Sequence, residues 1–314
     1  MSWFYFWGIG QKNQYTHVLC NELYTAFLTR RSKERLEIID ILSHGNIRFH
    51  FNSKSYALMK KMGVSRKKLR EIKSFDPKEI MNKAEVNKFL DQVFTNPRKF
   101  EIIRQFVLEA SAIVAYQSSK HQVHRLLTDD ARQYKQIAKE QVLCWIHDGR
   151  HYKKLEPLIG INQTRTENFL NRYWDYYRRL LDYKEEPNKL SANWLAREFN
   201  KLFSTKTGYE ELDERIQRTK TKKKQLLLVL KYPELPLHNN VSELGARVQA
   251  RYRDISYHTM SEAGTKAKDT FMTIFATSRK LPVNAYEYVY DRISGQYAMP
   301  SLASLIKNAS QAAV

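Results

Sequence analysis

Two β-like runs, QYTHVLCN and LYTAFLTR, come one after the other with only Asn21 and Glu22 between them to turn the chain. Both are rich in β-branched and aromatic residues, and so short a connection favours folding them back as a hairpin. A hairpin this early commits the chain to a sheet, and later segments must cover the sheet's apolar face. The next stretch, SKERLEIIDILSHG, places Leu36, Ile39 and Leu42 at helical spacing, with Ser32 as candidate cap and Gly45 where a helix should stop. NIRFHFN then alternates Ile47, Phe49 and Phe51 and reads as a third strand, so the opening predicts a mixed α/β unit.

Residues 55–118 carry a mainly helical pattern, and FEIIRQFVLEASAIVAYQ is apolar nearly all round, as a buried helix should be. HQVHRLLTDD reads as a core strand ending in two acids, Asp129 and Asp130. ARQYKQIA is a short helix, and QVLCWIH a further strand-like run. Residues 162–232 are helical again, with breaks at Pro187 and Gly208; from Val241 the pattern is helical with loops near Gly264 and Pro282.

The 314 residues, 42% of them hydrophobic, suffice for one or two domains. Lys and Arg number 53 against 33 acids, a formal charge of +20, which points to a polyanionic partner: nucleic acid first, an acidic membrane surface second. Two cysteines, Cys20 and Cys144, make no disulfide framework and suggest a reducing, cytoplasmic setting. The aromatic N-terminus, MSWFYFWGIG, has neither the basic lead of a signal peptide nor the length of a membrane span.

Asp129 ends a predicted strand and Glu243 starts a predicted helix. Such carboxylates can meet where open α/β sheets place their sites, and carboxylate oxygens suit Mg²⁺. The stretch LPLHNNVSELGARVQARYRDISYHTMSEAGTKAKDTFMTIFATSRKL resembles the C-terminal catalytic region of bacterial insertion-sequence transposases with a DDE triad, of the insertion sequence sixty-six type. LLTDDARQY followed by LCWIHDGRHYKKL resembles that family's middle acid and its Cys-Trp-x-His segment, and NQYTHVLCNELYTAFLTRRSKERLEIIDIL the strands and helix after its first acid. The resemblance implies an α/β fold: an RNase H-like core with a mixed sheet and a large helical insertion. Residues 1–160 would hold the first part of the core, truncated at the first strand, 161–234 the insertion, and 235–314 the C-terminal helices. It further implies Asp129 and Glu243 as catalytic acids and metal ligands for Mg²⁺ or Mn²⁺, with Asp130 as the alternative middle acid. The implied partner is DNA at transposon ends, and the reading leaves room for a homodimer. The family's first acid would fall in MSWFYFWGIG, which holds no carboxylate, so the expected outcome is a catalytic domain inactive as it stands; the alternative is a non-catalytic DNA-binding remnant or regulator.

Cys144, His147 and His151 have the spacing of metal ligands, but a structural zinc site usually needs four, so these residues are expected to be core or to line the site. The basic run RTKTKKKQ, with Lys222, Lys223 and Lys224, is either a solvated helix face or a DNA contact. Arg247 and Arg251 lie one and two turns beyond Glu243, where they would make an ion-pair ladder with it or clamp phosphates. The charge predicts that affinity for duplex DNA falls steeply as salt rises, because neutralised phosphates release counterions. Filter binding across a salt series measures this, and a flat response would count against nucleic acid as the partner.

Overall fold

The computed structural model describes residues 3–11, 14–120, 122–256 and 259–312, the first of these segments for its backbone course alone. The strands are β1 (Trp3–Gln11), β2 (Gln14–Cys20), β3 (Thr25–Arg30), β4 (Phe49–His50), β5 (Ile80–Met81), β6 (Arg125–Thr128) and β7 (Glu140–Leu143). Helices of a first lobe are α1 (Arg35–Leu42), α2 (Ser53–Lys61), α3 (Arg66–Ser74), α4 (Lys83–Val93) and α5 (Pro97–Gln117). After β7 come α6 (Trp145–Lys153), α7 (Gly160–Glu185), α8 (Lys189–Leu202), α9 (Glu210–Thr221) and α10 (Lys223–Leu226). The chain closes with α11 (Asn240–Ser256), α12 (Glu262–Ser278), α13 (Ala285–Ile293) and α14 (Leu302–Ala312). No helix of the described residues is long and apolar enough to cross a membrane.

The main sheet has the order β3-β2-β1-β6-β7. The pairs β1–β2 and β2–β3 are antiparallel, with Val18 opposite both Trp7 and Phe27, while β1–β6 and β6–β7 are parallel. Side chains alternate across the sheet as strand geometry requires. Leu19, Leu28 and Leu126 face the first lobe, whose core holds Ile38, Phe49, Met59, Ile72, Phe89 and Ile113. Val18 and Phe27 face the other way, against Ala246 of α11 and Met272 and Ala276 of α12, and Cys20, Leu127 and Val142 pack with Leu235. The second lobe has its own core, built largely of rings around Trp145, Tyr173 and Phe199.

Residues 3–11, where the family's first acid was expected, supply β1, the middle strand of the main sheet, and hold no carboxylate. Several other sequence expectations need correction. NIRFHFN does not join the main sheet: only Phe49–His50 pair, with Ile80–Met81, in a separate two-stranded sheet. Ser32 lies outside α1 and accepts from the Glu34 N–H (3.2 Å). ARQYKQIA keeps only a 3₁₀ turn at Arg132–Tyr134. The break expected near Gly264 falls just before it, between α11 and α12, and the Gly264 N–H reaches the capping Ser261 hydroxyl (3.0 Å).

β3 is an edge strand, and α12 covers its free edge with side chains. The N–H groups of Thr25, Phe27 and Thr29 donate to Thr277 Oγ1 (3.3 Å), Thr273 Oγ1 (3.0 Å) and Asp269 Oδ2 (2.6 Å). The match works because four helical residues advance about 6.0 Å and two strand residues about 6.8 Å. An unpaired edge would otherwise invite pairing with another chain. Asp269 is buried, which raises its pKa, against the N–H and hydroxyl of Thr29 that favour the charged form. A raised carboxyl contributes stability at low pH that is lost as pH rises through its folded value. Asp269→Asn keeps an acceptor and removes that loss. In thermal melts across pH, wild type should fall relative to Asp269→Asn as pH rises above about 4. Asp269→Ala, which leaves the Thr29 N–H without its acceptor, should lose roughly 1–3 kcal/mol at pH 7.

Candidate functional site

Parallel pairing of β6 with β7 brings the carboxyl ends of the two strands side by side. Asp129 follows the last residue of β6, and Cys144, after β7, begins α6, which carries His147, Asp148, Arg150 and His151. The approach to α11 is stitched to this junction. Trp145 N–H donates to the Leu237 carbonyl (2.9 Å), and Asn239 N–H to Cys144 Sγ (3.3 Å). Asn239 then organises the helix start, its carbonyl taking the Glu243 N–H (3.2 Å) and its Oδ1 the Ser242 hydroxyl (2.5 Å). Glu243 therefore stands in the first turn of α11, directly above α6. Gly245 permits this placement: a Cβ there would come within 3.0 Å of Val18 Cγ1 on β2.

Glu243 is held by two side chains of α6, the His147 ring and the Arg150 guanidinium. His147 Nε2 lies 3.4 Å from Oε1, and Arg150 spans both oxygens at 3.5 and 3.4 Å; the carboxylate is 12% exposed. Asp129 is in the same electrostatic neighbourhood. Burial raises its pKa, the Ala131 N–H (3.0 Å) and His147 oppose this, and Asp130 and Glu243 add to the rise. Burial also lowers the pKa of His147 and His151 and raises that of the Cys144 thiol. The two acids picked out in the sequence thus lie within electrostatic reach of each other and of His147.

Beside them is a cleft of about 550 Å³ lined by Asp129, Asp130, His147, Asp148, Arg215 and Lys222 among others. Its floor is a carboxylate the sequence reading missed. Asp148, 4% exposed, pairs with Arg215 and accepts from Thr219 Oγ1 (2.8 Å) and Tyr173 OH (3.4 Å), with Lys222 Nζ at 3.5 Å. The signal was present: Asp148 lies on the helical stripe of Trp145 and Tyr152, both buried, where a lone acid needs partners.

The basic run divides. Lys222, 16% exposed, bridges Asp130 (2.7 Å) and Asp148, and Lys223 donates to the Ala196 carbonyl (2.9 Å) and Asn200 Oδ1 (2.7 Å). Only Lys224 of the three is exposed. The run is therefore not one solvated helix face: the buried Asp148 holds Lys222, and acceptors on α8 hold Lys223. Arg247 and Arg251 are exposed and form no ion pair among the described residues, so α11 carries no ladder with Glu243.

Removing the Asp148 carboxylate would leave Arg215 and Lys222 facing each other in a half-closed cleft. Asp148→Ala should cost roughly 3–5 kcal/mol, read by denaturant titration, and Asp148→Asn less, since it can still accept from Thr219.

Comparison with known proteins bears on these residues. The sequence profile of the "Transposase IS66 family" matches residues 93–267, which include both acids and α6. The chain is also 30% identical over 298 residues to "Uncharacterized protein y4jO" of Sinorhizobium fredii (strain NBRC 101917 / NGR234), covering 91% of this chain and 88% of that protein. No solved structure matches.

Proposed function

The chain belongs to the IS66 transposase family, and from that premise we propose that it engages DNA as a transposase-type protein with an RNase H-like core whose acidic site is one carboxylate short. The sheet order supports the fold reading: three antiparallel strands, then two parallel ones on the other side of β1, with the acids gathered at the strand ends. The observation that supports the functional reading is that His147, 3.4 Å from Glu243, also lines the cleft with Asp129, so that both acids act on it electrostatically.

Family chemistry uses Mg²⁺ or Mn²⁺ bound by three carboxylates, and two ions about 3.5–4 Å apart would activate water and stabilise the leaving oxygen. The residues here do not make up that donor set. β1 contains no Asp or Glu, Glu243 is already held by His147 and Arg150, and among the described residues no group of three or more His, Cys, Asp or Glu is arranged to hold a metal. Asp130 is a poor substitute, since it pairs with Lys222 and Lys135. What these residues can do is bind. Arg247 and Arg251 stand exposed beyond Glu243, where guanidinium groups can take phosphate oxygens, and Arg150 is half-exposed beside Glu243.

The reading is therefore DNA binding without strand cleavage, and transposon ends are the expected target. Purified chain should bind duplex DNA carrying its cognate ends and should not nick it with Mg²⁺ or Mn²⁺. Robust nicking that disappears in Glu243→Gln would show a complete site and overturn the missing-acid reading. Binding unaffected by Arg247→Gln/Arg251→Gln would remove the α11 arginines from the interface.

A further inference from the structure

A second feature, remote in sequence from the acids, has the chemistry of a DNA reader. Helices α2 and α3 are joined by residues 62–65 alone. The turn depends on Gly63, whose φ of +107° is a conformation side-chain-bearing residues rarely adopt. Val64 comes next, 2% exposed, its N–H on the Met59 carbonyl (3.0 Å). Ser65 then caps α3 by accepting from the Lys68 N–H (3.2 Å). Met59, Val64, Leu69 and Ile72 from the two helices share one buried core. Two short helices, a tight glycine turn and a common core make a helix-turn-helix, the unit whose second helix enters a DNA groove.

The outer face of that second helix is cationic. Arg66, Lys67 and Arg70 are exposed and form no ion pair among the described residues. Glu71, the one acid of α3, is taken up by Lys68 (2.7 Å). The first turn has no acid, so Arg66 and Lys67 sit at the positive end of the helix dipole. That arrangement is unfavourable for the isolated protein. A polyanion reverses the sign, because the cations and the free N–H groups of the helix start then attract the same phosphate.

We propose that α2 and α3 form a second DNA-contacting unit, separate from the acidic cleft, in which α3 lies in the major groove of duplex DNA with Arg66, Lys67 and Arg70 on phosphates and base edges. This does not depend on Asp129 or Glu243 and goes beyond the site reading above.

The test is fluorescence anisotropy of the full chain with a mixed-sequence duplex of about 30 base pairs, some three helical turns, over a salt series. Arg66→Gln/Lys67→Gln/Arg70→Gln alters only exposed side chains, and circular dichroism checks that it folds. Its log–log salt slope should be shallower than wild type by about 2–3, and Arg70→Gln alone by about 0.9. Guanine N7 methylation, which marks the major groove, should interfere with wild-type binding and not with what remains of the triple variant's. As a control, Arg172→Gln/Lys189→Gln/Arg197→Gln removes equally exposed cations from the second lobe and should leave the slope unchanged. A wild-type slope in the α3 triple variant overturns this proposal alone, as does an equal fall in the control triple or a preference for single-stranded RNA. A wild-type chain that binds no DNA at low salt overturns both this proposal and the binding function above.

Discussion

Everything at the candidate site depends on α11 lying flat against β1 and β2. The contact is close: a Cβ on Gly245 would lie 3.0 Å from Val18 Cγ1, tight enough that the valine would have to shift, and Ala246 completes the apolar seam. Tight packing of this kind fixes a helix along its length. With its body seated on the sheet and its start tied to Cys144 through Asn239, α11 can present Glu243 only towards α6. The acid's position is a consequence of backbone packing, not of its own bonds.

Charge is the second organising constraint. A net +20 suggests a uniformly basic surface, yet the structure spends part of that charge internally. Arg215 and Lys222 neutralise the buried Asp148, Arg35 pairs with Glu109, and Arg150 holds Glu243. A buried acid loses far more by desolvation than an exposed one, so nearby cations are drawn inward first. Other cations stay exposed on several elements, among them Arg66, Lys67 and Arg70 of α3, Arg172 and Arg178 of α7, and Arg247 and Arg251 of α11.

The two lobes hang from the sheet in different ways. The first packs on one face through Leu19, Leu28 and Leu126, while the second is inserted after β7 and keeps a ring-rich core of its own. The opposite face belongs to α11 and α12, and α12 also seals the β3 edge with Asp269, Thr273 and Thr277. One helix thus serves both as a layer of the core and as a guard against edge pairing.

The hairpin, the helical blocks and the breaks between them were legible in the sequence, because periodicity and turn residues are local properties of the chain. Asp129 and Glu243 stood out as candidate acids through their motifs, as did the absence of an acid among the first eleven residues. The sequence did not show that those residues form the central strand, since strand order is a matter of pairing between distant segments. Nor did it separate the lysines: Lys222, Lys223 and Lys224 are alike in one dimension, and only the folded chain puts Asp148 beneath the first, Asn200 beside the second and water around the third. Local propensity decides which elements exist; which charges are buried, and so which remain for a partner, is decided by desolvation in three dimensions.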